Sequence, residues 1–167
     1  MCQIGINAQA NQLGFASRVD LPLLPLHAPK LEIPELAGVV RYTHYSLMVF
    51  GYGRIPIVSW LRNEANEALI HAQEAGEMIT QLGAHPSLGI GPLLETHKHN
   101  IGDILRESLQ HEMASLRLYY ELLDLVRDRS VFLEEYARRL IAAEELHVGE
   151  VDKMSRKPGE VAAFIAD

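Results

Sequence analysis

The residues with the most to say about chemistry are acids and imidazoles placed where apolar side chains would be expected. In the stretch LQHEMASLRLYYELLDL, Glu112 lies between Leu109 and Leu116 on a stripe that also holds Leu105, Tyr119, Leu123 and Val126. A carboxylate on the inner face of a helix is costly unless a cation or a proton compensates its charge. Further on, RRLIAAEELHVGEVD carries Glu144 and His147 three residues apart. On a helix both project from one side and can grip one cation. The first half of the chain repeats the arrangement. Glu35 precedes Tyr42 by seven residues, as Glu112 precedes Tyr119, and Glu35 stands 36 residues before His71, as Glu112 stands 35 before His147. Two such halves packed antiparallel would set two half-sites around a pseudo-two-fold axis.

Each residue also has a plainer reading. A Glu followed three residues later by a His is common on solvated helix faces. Glu112 could pair with Arg106 or Arg139, His71 could be a core histidine, and Tyr42 and Tyr119 could be core aromatics with a bonded hydroxyl. The matched spacing in both halves favours the metal site. His97 and His99 read as exposed, and His44 as a surface or interface residue. His111 points about 100° away from Glu112 around the helix. Met48 and Met78 read as core fillers.

The elements that must position these residues are helices. Pro22, Pro25, Pro29 and Pro34 break any helix drawn through them, so residues 1–33 read as an extended Pro-rich arm. Pro34 and Glu35 suit a helical first turn. Helices are expected over 34–50, 56–82, 93–126 and 131–155. Ile57, Leu61, Glu64, Ala68, His71, Ala75, Met78 and Leu82 form the stripe of the second helix. Gly83, Pro86, Gly89, Gly91 and Pro92 make a long link, whereas residues 127–130 make a short turn that demands an antiparallel neighbour. The result is an all-α, up-down-down-up four-helix bundle over residues 34–157 with a long second connection, followed by a short tail, 158–167.

Composition limits the function classes. The 167 residues make about one domain. A formal net charge of −7 argues against the clustered basic footprint of a nucleic-acid binder and suits a protein that attracts cations. The single cysteine, Cys2, has no partner for an internal disulfide, in keeping with a reducing cytosol. The opening MCQIGINAQANQ lacks the pattern of a secretory leader, and no apolar run approaches a membrane span. A cytoplasmic protein is expected.

From Pro34 to Met154 the chain resembles the ferritin-like superfamily, most of all bacterioferritin-type proteins. The resemblance rests on the two stretches quoted above, on ELAGVVRY and on ALIHAQEAGEMI. It implies metal ligands at Glu35, His71, Glu112, Glu144 and His147, and a tyrosine beside the site at Tyr42. The family's second-helix Glu would fall at position 68, where this chain has Ala68. Glu67, four residues before His71, is the expected substitute, with Glu64 its rival. Bacterioferritins take haem through a methionine two residues before that histidine, and Leu69 stands there, so no haem is expected. Carboxylates with two imidazoles suit iron or manganese. The resemblance implies two iron ions and oxidation of Fe2+ by O2 or peroxide, for storage or detoxification, in a homo-oligomer ranging from a dimer to a larger shell. The alternatives are a dimeric di-iron oxidase or peroxidase without storage, and a structural bundle whose site has decayed.

Overall fold

The computed structural model describes residues 34–91, 93 and 96–161. The Pro-rich arm and the end of the tail lie outside the described residues. Four helices account for the regular structure: α1 (Pro34–Met48), α2 (Arg54–Gln81), α3 (Ile101–Val126) and α4 (Val131–Ser155). Among the described residues there is no strand, and no helix is long and apolar enough to cross a membrane.

The helix ends follow from local chemistry. Pro56 sits in the first turn of α2, where a missing N–H leaves no bond unmade. α2 closes in a Schellman arrangement. Gly83, at φ 80°, donates to the Thr80 carbonyl at 2.9 Å, and Ala84 donates to the Ile79 carbonyl at 3.0 Å. α3 begins at Ile101, not near Leu93 as the sequence suggested. Asn100 is extended, and its side chain accepts from the Asp103 N–H at 2.9 Å, capping the helix there. His97, at φ 52°, is already outside helical geometry. Ser130 caps α4 by accepting from the Leu133 N–H at 3.4 Å.

The short turns pair α1 with α2 and α3 with α4 as two closely packed hairpins. Residues 82–100 can reach back along α2, since roughly 3.3 Å per residue exceeds the helix rise of about 1.5 Å. Across the hairpins α1 approaches α3, but no Cα pair between α2 and α4 comes within 8 Å. Long side chains fill that gap. One apolar cluster, built on Tyr42, Tyr45, Val49, Leu61 and Ile104, closes one stretch of the bundle. A second, with Tyr119, Leu123, Tyr136, Leu140 and Ile141, closes another. Leu105, Leu109, Val148 and Val151 seal the α3–α4 seam. The polar centre lies among these clusters.

Candidate metal centre

The stripes that bury leucines also bury acids, because the 3.6-residue period carries both to the same face. Glu35 on α1, Glu64 and His71 on α2, and Glu112 and Glu144 on α3 and α4 are all buried, with Glu144 only 2% exposed. With Tyr42, Glu67, Ala68, His111 and His147 they line one small cavity between the hairpins.

The contacts cross from one hairpin to the other. The Tyr42 hydroxyl on α1 donates to Glu112 Oε1 on α3, and the Tyr119 hydroxyl on α3 donates to Glu35 Oε1 on α1 at 2.6 Å. Likewise His71 Nδ1 on α2 lies 3.3 Å from Glu144 Oε1 on α4. His147 on α4 faces α2, with Nε2 3.4 Å from Glu67 Oε1 and Nδ1 3.8 Å from Glu64 Oε2. The seven-residue Glu-to-Tyr spacing seen twice in the sequence thus becomes a reciprocal exchange. The proposed salt-bridge partners of Glu112 are engaged elsewhere: Arg106 pairs with Asp103, and Arg139 with Glu74 at 2.7 Å.

Packing so many acids out of water perturbs them strongly. Burial, then the charge of Glu144, pushes the Glu35 carboxyl up to about 7. Burial and the same neighbour push Glu112 well above the usual carboxylate range, and burial raises Glu64. Burial acts to raise Glu144 too, but the neighbouring His147 and His71 imidazoles outweigh it and hold Glu144 low. His147 rises to about 9, chiefly through Glu144. For His71 burial is the largest influence and acts downward, yet Glu144 and Glu35 together leave it raised. A cation bound among these groups would compensate their clustered negative charge.

Among the described residues, His71 Nδ1 and Glu144 Oε2 are buried ligand-type atoms that make no well-formed hydrogen bond; their neighbours are only ion-pair contacts, Glu144 Oε1 at 3.3 Å from the first and His147 Nδ1 at 3.7 Å from the second. An orphaned buried acceptor is expensive in a core and is what a metal ion would use. Among the described residues, three sets of side chains bring one ligand atom each within 4.8 Å of the others: Glu35, His71 and Glu144; Glu112, Glu144 and His147; and Glu64, Glu67 and His147. Glu144 belongs to the first two sets and so links them. Oxygen-rich donors with one imidazole per set fit Fe2+ or Mn2+.

The ferritin-like domain family matches residues 34–157. This chain belongs to the ferritin-like domain family. In solved structures the ferritin-like chain is similar to a ferritin-like diiron-carboxylate protein of Bacillus anthracis strain Ames. The two are 22% identical with a TM-score of 0.67, over 74% of this chain and 91% of that one. It is also similar to the bacterioferritin-related, dodecameric thioferritin of Bacteroides fragilis, at 19% identity and a TM-score of 0.68, over 72% and 77% of the respective chains. The bacterioferritin of Desulfovibrio desulfuricans gives 22% identity and a TM-score of 0.63, over 72% and 71%. These likenesses show the fold. No curated protein matches the chain.

The residues singled out in the sequence, Glu35, Tyr42, Glu67, His71, Glu112, Glu144 and His147, all line this cavity. Glu64 and Glu67 both lie against His147, not as a pair around His71. Glu64 is buried, whereas the Glu67 side chain is 45% exposed. His111 was passed over and belongs here. Its ring stands edge-on to Tyr42 at 6.1 Å, and burial with nearby Arg41 pulls it down to about 4, so it is neutral at ordinary pH. The signal lay in Gly38 and Ala68. A Cβ at Gly38 would sit 3.0 Å from His111 Nε2 and 3.2 Å from the Ala68 Cβ, so small residues at both positions make room for the ring.

Proposed function

We propose that this ferritin-like protein binds two iron ions between its hairpins and oxidises Fe2+ with O2 or peroxide, working as a cytoplasmic homo-oligomer. One observation carries the reading: acids and imidazoles from all four helices converge on a buried cavity, where His71 Nδ1 and Glu144 Oε2 make no well-formed hydrogen bond. Glu35 and His71 would hold one ion and Glu112 and His147 the other, with Glu144 shared and Glu67 or Glu64 on the His147 side. Bound iron supplies the one-electron chemistry that these side chains lack. The chain itself brings negative charge to neutralise the cations and excludes bulk water with the surrounding apolar clusters. Tyr42 donates its hydroxyl to Glu112, and in this reading it would give an electron or a hydrogen bond to the site.

The test is Fe2+ oxidation. Metal-free protein receives two Fe2+ per chain without oxygen, and O2 uptake is followed after air is admitted. Oxidation should far outpace buffer, and Glu144→Gln should bring it down to the buffer rate. Equal rates in wild type and Glu144→Gln would defeat the reading. Ala68 supports a second reading, a structural bundle with a decayed site, in which the purified protein would hold well under one iron per chain. Particle size separates a storage shell from a small non-storage oligomer.

A further inference from the structure

The charge on α1 points inward and its outer face is apolar, the reverse of an ordinary surface helix. Its two charged residues, Glu35 and Arg41, are both buried. The positions turned outward hold Val40, Thr43, His44 and Leu47, so α1 exposes no Asp, Glu, Lys or Arg. The surface around it continues in the same character. Phe50, just past α1, and Ile55, in the first turn of α2, are 75% and 84% exposed. Leu69 and Ile70 are exposed beside Ala68, the residue of α2 that faces Gly38. On α4, by contrast, Glu135, Arg138, Arg139, Glu145, Glu150 and Lys153 all reach solvent.

A helix left to water keeps its charges outside, and one that is apolar on both faces is covered. Single exposed apolar side chains need no explanation. Six of them on the outer side of one hairpin, along a helix that shows no charge, mark a contact surface.

The chain that precedes α1 ends beside this surface. Residues 1–33 lie outside the described residues and join α1 at Pro34. Their Asp, Glu, Lys and Arg residues are Arg18, Asp20, Lys30 and Glu32 alone, a charge content as low as that of the face. From Val19 to Ile33 the leucines are interrupted by Pro22, Pro25 and Pro29. Proline keeps a chain extended and brings no N–H, so such a segment leaves fewer donors unpaired against an apolar face. At about 3.1 Å per residue, residues 19–33 reach about 45 Å. The 15 residues of α1 rise about 22 Å, so the segment can reverse at Pro34 and still run the length of the helix. It is also tethered at the edge of the face. Its effective concentration there is about millimolar, whereas a second copy must find the face at its free concentration.

We propose that residues 19–33 pack along the uncharged outer face of α1 of the same chain as an extended strap, with their leucines on Val40, Leu47 and the apolar side chains around them. The strap would brace from outside the helix that brings Glu35 and Tyr42 to the buried centre.

The experiment uses the full-length chain with Cys2→Ser and a reporter thiol, Leu47→Cys, followed by its rate of alkylation with a maleimide. The thiol should react at least about tenfold more slowly than in the urea-unfolded chain, because reaction needs access. Diluting the protein should leave this protection unchanged, since the strap is intramolecular. Adding Leu21→Ser, Leu23→Ser, Leu24→Ser and Leu26→Ser should restore fast alkylation while the helical circular dichroism stays the same. If Leu47→Cys does not fold, Val40→Cys carries the thiol instead. A reporter that reacts as fast as in the unfolded chain would overturn the proposal. So would protection that outlasts the four serine substitutions or fades on dilution, which would put a second copy on the face.

Discussion

Replacing Glu35 by glutamine is expected to stabilise the metal-free protein at pH 8 and to change it little at pH 5. Burial and Glu144 raise the Glu35 carboxyl from 4.5 to about 7. The folded state therefore keeps a proton that the unfolded chain releases above about pH 4.5. Folding is favoured on the acid side of this window and loses free energy as pH climbs to 7. At about 1.4 kcal/mol for each tenfold step, ionising Glu35 in the fold costs about 3 kcal/mol at pH 8. Glutamine removes that cost and keeps an oxygen for the Tyr119 hydroxyl, but forfeits the attraction of His71 and His147. A net gain of about 1–3 kcal/mol remains at pH 8, falling below about 1 kcal/mol at pH 5, where wild-type Glu35 is already largely protonated. Urea unfolding with a chelator present, at both pH values, reads the difference. Equal effects at the two pH values, or a loss at pH 8, would refute the reasoning. His147 acts in the same direction. Raised to about 9, its contribution is complete below about 6.5 and vanishes as pH rises through 9.

Three further outcomes are expected. Asn100→Ala should cost about 1 kcal/mol in urea unfolding, because the side chain that accepts from the Asp103 N–H is lost. Gly38→Ala should destabilise by about 1 kcal/mol despite better helix propensity, since its Cβ would crowd His111 and Ala68; a stabilised variant would show that the contact is loose. Tyr42→Phe should slow Fe2+ oxidation while leaving the helices intact, and an unchanged rate would remove Tyr42 from the chemistry.

Much of this fold was legible in the sequence because helical period, proline and glycine act locally. The stripe from Leu105 to Val126 and the turn at 127–130 needed no knowledge of distant residues. So did Glu112, because a charge between leucines three and four residues away has only one face to occupy. The start of α3 was misplaced because Leu93 continues an apolar pattern, while the Asn100 cap and the His97 backbone decide where the helix begins. His111 was missed for a different reason. Its angle on α3 turns it from Glu112 but toward α1, and only packing shows that Gly38 leaves a gap there. The crossing of Glu64 and Glu67 to His147 depended on how the two hairpins dock, which spacing within one helix cannot specify.

The most direct measurement is anomalous scattering at the iron edge, on crystals loaded with Fe2+ in the absence of oxygen. Two peaks per chain are expected between the hairpins, one beside Glu35 and His71 and one beside Glu112 and His147, with Glu144 touching both. Crystals that take up iron only on the outer surface, or show no peak in that cavity, would contradict the account.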